Sequence, residues 1–134
     1  MQEPLSIGQM AEKYEVTTRL LHFYEAKGLL NPERVDNPAG YQDRLYDEMQ
    51  QRRLEVIQKF TRAGVRLNDV RKFTDSFPGA ASMPNPGHWS EEAQGAAFAL
   101  LMNTRKRLRS EEKKIADQLG ETRNFRELLN LMPD

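Results

Sequence analysis

The sequence of 134 residues contains no cysteine. This absence excludes disulfide bonds, thiol redox sensing, and zinc or iron–sulfur sites held by thiolates. No apolar run approaches the roughly 20 residues of a membrane-spanning helix, and the N-terminus lacks the basic and apolar regions of a signal peptide. We therefore expect a cytoplasmic protein that binds no metal and no other cofactor.

The sequence also lacks an excess of either charge, since 20 lysines and arginines face 20 aspartates and glutamates. A balanced chain has no general attraction for nucleic acid, so a nucleic-acid surface would have to be a local patch. The sequence offers no recognisable nucleophile–base pair, metal cluster or phosphate-binding loop. An enzyme is therefore not predicted.

The stretch TTRLLHFYEAKGLL, residues 17–30, is the leading candidate for a functional element. Its apolar and basic residues are interleaved, so a helix here would bury one side and expose a basic, hydrogen-bonding side. By itself this pattern favours an ordinary amphipathic helix with solvated charges. A shorter helix, starting at a capping box formed by Ser6 and Gln9 and ending near Glu15, precedes it at helix-turn-helix spacing.

Short β-favouring pieces at residues 34–35 and 44–46 flank the turn DNPAG and predict a small hairpin. The hairpin could be a mere connector, but Arg34, Tyr41 and Arg44 make it a candidate wing. Two further helices are predicted before Pro78. Residues 78–89, with three prolines and two glycines, are predicted to form an irregular linker in which Trp89 packs rather than binds a ligand.

A long helix of about thirty residues is predicted from Ser90 to Leu119, and it would span some 45 Å at ~1.5 Å per residue. Its apolar spacing predicts a coiled-coil partner. A short helix at residues 124–132 is too short to cover it, so we predict a homodimer. The basic run at 105–109 is expected to be solvated. The predicted interface positions are Phe98, Leu101, Thr104, Leu108, Ile115 and Leu119.

The segments FYEAKGLL (23–30), GYQDRLY (40–46) and AGVRLNDV (63–70) together resemble the MerR family of bacterial transcription regulators. The resemblance extends from Leu5 to about Phe77. It implies a mainly α fold with a small β-hairpin wing. The expected parts are a winged helix-turn-helix DNA-binding domain (1–77), the linker (78–89), and a long dimerization helix plus a short C-terminal helix (90–134).

The resemblance further implies a sequence-specific, DNA-binding transcriptional regulator. Such a regulator binds palindromic double-stranded promoter DNA as a homodimer and distorts it, with RNA polymerase as a further partner. Tyr24 is expected to send its hydroxyl to a phosphate, while Phe23 faces the core. The positions that match DNA-contacting positions of the family are Thr18, Arg19, His22, Tyr24, Arg34, Tyr41 and Arg44.

Two departures from the family pattern bear on DNA recognition. Position 22 is usually arginine and is histidine here, which replaces a permanently charged guanidinium by an imidazole. Gln42 and Asp43 are two additional residues in the wing, and Asp43 brings a negative charge toward the expected phosphate track. Arg44 is therefore a weaker candidate than Arg34.

A second hypothesis is a protein-interaction adaptor or anti-regulator that uses the winged fold and the coiled-coil tail without specific DNA binding. The neutral net charge and His22 favour the adaptor, whereas Arg19, Tyr24 and Arg34 oppose it. For an effector, three options stay open: a small ligand in a dimer-interface pocket, a protein partner, or none.

Overall fold

The first two helices begin where the sequence places capping residues. The computed structural model describes residues 3–129. Helix α1 (Ile7–Tyr14) starts at the predicted capping box, in which the Gln9 N–H donates to Ser6 Oγ (3.2 Å) and the Ser6 N–H donates to Gln9 Oε1 (2.9 Å). Helix α2 (Thr18–Ala26) starts at Thr17, whose Oγ1 accepts from the Leu20 N–H. The predicted helix-turn-helix is confirmed.

A three-stranded antiparallel sheet lies beside these helices in the order β1 (Leu5–Ser6), β3 (Gln42–Tyr46), β2 (Glu33–Asp36). Strands β2 and β3 form the predicted hairpin, and Asn37 Oδ1 accepts two backbone N–H bonds within its turn. Strand β1 pairs with β3 and so joins the N-terminal residues to the hairpin. Gln42 and Asp43 belong to the ladder of this hairpin and pair with Asp36 and Val35, respectively.

Helix α3 (Glu48–Arg62) runs through the core of the fold, and helix α4 (Leu67–Ser76) packs against it. The Asp47 carboxylate caps α3 by accepting from the Gln50 N–H at 2.9 Å. The apolar stripe of α3 is buried in the core. Gln51 is also fully buried, and it is satisfied because its amide donates to the Tyr46 carbonyl and accepts from Lys13 Nζ. This residue connects α3 to α1 and β3.

The segment 78–89 is irregular, with two single turns of 3₁₀ helix at Ala80–Ser82 and Pro86–His88. It nevertheless packs against the core. Trp89 stacks on Phe60, with 6.2 Å between ring centroids, and its indole N–H donates to the Met83 carbonyl at 2.7 Å. The prediction that Trp89 is a packing residue is confirmed.

Helix α5 runs without interruption over 39 residues, Glu91–Leu129, and is thus roughly 58 Å long. The predicted separate helix at 124–132 is wrong over residues 124–129, and residues 130–132 lie outside the described part of the chain. The long helix passes through Gly120 because one glycine costs only about 1 kcal/mol in a helix interior and good helix formers flank it. No helix within residues 3–129 is long and apolar enough to cross a membrane.

The first half of α5 packs on the turn between α3 and α4, which corrects two predictions. Thr104, predicted at a dimer interface, is 8% exposed and lies against Gly64 of its own chain. Arg107, predicted to be solvated, donates to the Gly64 carbonyl. Both contacts arise because glycine lets the helix approach the backbone closely.

We predict that Gly64→Ala lowers the free energy of unfolding by about 1–2 kcal/mol. The φ of Gly64 is +91°, and an added Cβ would lie 3.1 Å from Leu108 Cδ1. The matched control is Gly79→Ala, because Gly79 has φ −63° and ψ −47° and open space around it. This control should leave the stability unchanged or raise it by up to ~1 kcal/mol. Urea unfolding at one protein concentration measures both, and equal effects would contradict the prediction.

Candidate nucleic-acid interface

Helix α2 presents Thr18, Arg19 and His22 to solvent and buries Leu21 and Tyr24. The exposed residues occupy the first half of the helix, next to its N-terminus, where unpaired backbone N–H groups and the helix dipole favour anions. At 10–12 Å in diameter, a helix fits the major groove of B-DNA, which is about 12 Å wide. Arg19 and His22 thus lie on the exposed basic side that the sequence predicts for this helix.

The orientations predicted for the two aromatic residues of α2 are wrong. Tyr24 is only 6% exposed, and burial raises its pKa. Phe23 is 44% exposed and lies beneath Lys27 Nζ, 5.5 Å from the ring centroid. Tyr24 follows the fully buried Leu21 by three residues and shares its face, and this is the face of α2 that the rest of the core covers. Tyr24 is thus unsuited to the phosphate contact expected of it.

The wing places Arg34 and Arg44 directly opposite each other, on β2 and β3. Tyr41 lies near the tip of the hairpin and is 72% exposed. Asp43 pairs with Val35 and therefore points to the opposite face of the sheet from Arg44. Its carboxylate accepts from the Asn37 side chain at 3.1 Å. That Asp43 brings a negative charge toward the phosphate track stays a prediction, but its side chain does not share a face of the sheet with Arg44.

Sequence reasoning missed Glu25, which joins the helix to the wing. Its Oε1 accepts from Arg34 Nε (3.3 Å) and Nη2 (2.9 Å), and its Oε2 accepts from Arg44 Nε (3.2 Å). His22 Nδ1 lies 3.9 Å from Oε2. In the sequence, the only sign of this contact is that Glu25 follows His22 by three residues, a spacing that puts both side chains on one face of the helix.

The electrostatics of Glu25 reflect its position between the two arginines. Its side chain is 13% exposed. Burial opposes ionisation, but the hydrogen bond from Arg34 and the charge of Arg44 outweigh burial and lower the pKa of Glu25 below its ordinary value of 4.5. Burial, and then the charge of Glu25, raise the pKa of Tyr46.

We expect Glu25→Gln to reduce the free energy of unfolding by about 1 kcal/mol near neutral pH. Because folding lowers the pKa of Glu25, its ion pairs stabilise the protein above pH 4.5 and are lost as the pH falls through the lowered pKa. The difference between wild type and variant should therefore shrink below pH 4.5. Urea unfolding at several pH values measures it, and a difference that does not change with pH would contradict the assignment.

The link between α2 and the wing is held by a second set of polar contacts that the sequence did not predict. Arg53 of α3 donates to the Leu29 carbonyl, and Gln50 Oε1 accepts from the Asn31 N–H at 2.7 Å. Burial lowers the pKa of Arg53.

Within residues 3–129 no group of three or more His, Asp or Glu side chains is placed to hold a metal ion.

Residues 5–76, more than half of the chain, match the family described as "MerR HTH family regulatory protein". The chain belongs to the MerR family. This MerR-family chain is 38% identical over 69 residues to the HTH-type transcriptional activator mta of Bacillus subtilis (strain 168). It is 40% identical over 67 residues to nodulation protein NolA of Bradyrhizobium elkanii. These matches cover 52% and 49% of this chain but only 26% and 29% of the two relatives.

Solved MerR-family structures share the fold of nearly all of this chain. A MerR-family transcriptional regulator from Bacillus cereus superposes with a TM-score of 0.72 at 21% identity, over 98% of this chain and 86% of that one. HiNmlR, a MerR-family regulator lacking the sensor domain and bound to promoter DNA, gives a TM-score of 0.55 at 20% identity, over 96% and 94%. At these identities the likeness establishes the fold, and the predicted winged helix-turn-helix with a long C-terminal helix is confirmed.

Proposed function

We propose that this MerR-family chain is a transcriptional regulator that binds promoter DNA in a sequence-specific manner. The observation that carries the proposal is the exposure of Arg19 on α2 and of Arg34 on the wing, where Arg44 lies opposite Arg34 and is partly exposed. Arg19 would contact base edges or phosphates in the major groove. Thr18, His22, Arg34, Tyr41 and Arg44 would contact the bases and backbone around it, and the backbone contacts would supply most of the affinity.

We further propose that the protein binds as a homodimer through α5. Five of the six predicted interface positions, all but Thr104, remain exposed on the single chain, with Ile115 and Leu119 at 56% and 66%. Exposed apolar residues at helical spacing over some 30 Å call for a partner. Phe98 and Leu101 also line an apolar groove of about 390 Å³ beside Trp89, which would continue the same interface.

A symmetric dimer would require a palindromic operator, because each recognition helix reads the same half-site. Where the spacing of the two helices differs from that of the half-sites, bending or twisting of the DNA brings both into register. Distortion of this kind between promoter elements would present the DNA to RNA polymerase, the further partner of the proposal. The proposal assigns no catalytic step to the chain.

For the test, the purified protein first selects a duplex from a random-sequence pool. Its binding to the selected duplex and to a scrambled duplex is then titrated at several salt concentrations and measured by fluorescence anisotropy. We expect the selected duplex to bind at least about 10³-fold more tightly than a scrambled duplex. The logarithm of the association constant should fall linearly with the logarithm of salt concentration, with a slope near −0.9 per phosphate contacted. Equal affinity for both duplexes would favour the protein-interaction adaptor instead.

A further inference from the structure

One carboxylate connects the recognition helix to both strands of the wing. Glu25 belongs to the last turn of α2, whereas its two ion-pair partners belong to β2 and β3. The three hydrogen bonds between Glu25 and these arginines measure 2.9–3.3 Å. The Glu25 side chain is 13% exposed and that of Arg44 is 26% exposed, so the bond between them is partly shielded from solvent, whereas the Arg34 side chain is 55% exposed. The contacts therefore constrain the position of the wing relative to α2.

The arginine pair needs this carboxylate. Arg34 and Arg44 are direct cross-strand neighbours, and like charges at such positions repel each other and destabilise the hairpin. Glu25 lies between them and leaves the trio with a net charge of about +1, given one carboxylate and two guanidinium groups. The hairpin can thus carry two cations toward DNA without separating its strands.

The arginines retain donors for a second partner while they bind Glu25. A guanidinium has about five N–H donors arranged as a planar fork. Arg34 uses Nε and Nη2 for Glu25, and Arg44 uses Nε for Glu25 and Nη1 for the Gln42 carbonyl at 3.2 Å. The Nη1 group of Arg34 and the Nη2 group of Arg44 are not used in these bonds. Each arginine can therefore hold the carboxylate and a phosphate oxygen together.

We propose that Glu25 is a positioning residue that determines DNA specificity by fixing the wing arginines in register with the recognition helix. The inference rests on the proposed function. Phosphate contacts carry no sequence information, but they set the register in which a recognition helix meets the bases. Specific binding requires that register, whereas non-specific binding requires only positive charge. Glu25, although it repels phosphates, improves discrimination between sequences.

The affinities of Glu25→Gln and wild type for the selected and the scrambled duplex distinguish this positioning role from two simpler roles. We expect the variant to bind scrambled DNA as tightly as wild type or more tightly, and to lose about tenfold in the ratio of the two affinities. Weaker binding to both duplexes by the same factor would indicate a merely structural role. Tighter binding to both by the same factor would indicate simple repulsion. Either result would overturn the inference.

The matched control is Glu33→Gln, which removes an exposed carboxylate from strand β2 of the same wing. This control should leave the affinity ratio within about twofold of wild type. If it reduces the ratio as much as Glu25→Gln does, charge alone explains the effect and the inference fails.

A measurement without DNA tests the contacts between Glu25 and the two wing arginines. In ¹⁵N NMR spectra, the Nε–H signals of Arg34 and Arg44 should exchange slowly with solvent in the wild type and rapidly in Glu25→Gln. Unchanged exchange would overturn the inference even if DNA binding is specific.

A wild type that does not discriminate between the two duplexes refutes the proposed function, whereas a wild type that discriminates no better than Glu25→Gln refutes only the role of Glu25.

Discussion

Replacing both Ile115 and Leu119 by aspartate is expected to produce a monomer that binds operator DNA at least about 100-fold more weakly than wild type. Burial of a large aliphatic side chain contributes about 1.5–3 kcal/mol, and each substitution occurs twice in a symmetric dimer. Four carboxylates within an apolar seam would also pay an uncompensated desolvation cost. The monomer then loses the second half-site, whose binding within one complex is favoured by its high effective concentration.

Analytical ultracentrifugation at micromolar concentration measures the association, and anisotropy measures the DNA affinity. The control carries aspartates at Ser110 and Lys113, which lie on the opposite side of α5 from Ile115 and Leu119 at 100° per residue. This control should remain a dimer with full affinity. A wild type that is already monomeric, or a double variant that still dimerises, would show that this part of α5 is not the interface.

Arg19→Ala is expected to weaken binding to the selected duplex about 10- to 100-fold, which corresponds to roughly 1–3 kcal/mol for a lost base contact. Arg19 is exposed on the first turns of α2, where a recognition helix meets base edges. If Arg19 reads a base, affinity for the scrambled duplex should change little. If it binds a phosphate, both affinities should fall together and the salt slope should decrease by about 1.

Arg19→Lys separates charge from geometry, because lysine keeps the charge but lacks the planar fork that pairs with guanine. If Arg19 reads a base, Arg19→Lys should bind scrambled DNA as wild type does but should not restore the preference for the selected duplex. Lys113→Ala, which removes one exposed cation from α5, is the charge control and should have an effect below about 0.5 kcal/mol. Wild-type affinity in Arg19→Ala for both duplexes would refute α2 as the recognition helix.

Much of the fold is encoded locally and could be predicted from the sequence. The predicted cap at Ser6 forms its hydrogen bond, and Thr17, Asp47 and Ser90 cap their helices in the same way, since a short polar side chain needs only the next turn of backbone as its partner. The hairpin around DNPAG likewise depends on one turn and two short strands. These signals lie within a few residues of the structure that they specify.

The errors concern contacts between elements distant in sequence. The exposure of Phe23 and the burial of Tyr24 depend on where α3 lies, and the burial of Thr104 depends on its meeting Gly64 forty residues earlier. Glu25 has an identifiable role only when β2 and β3 are placed beside α2. Periodicity gives the faces of a helix, but it does not specify which neighbour covers them.

The central claim is that α2 enters the major groove at two symmetric half-sites, and guanine methylation tests it most directly. Dimethyl sulfate methylates guanine N7, which is accessible only in the major groove. With the selected duplex saturated by protein, we predict two protected segments related by a palindrome and separated by a whole number of helical turns, about 10–10.5 base pairs each. Saturating binding that leaves every guanine N7 as reactive as in free DNA would contradict the account.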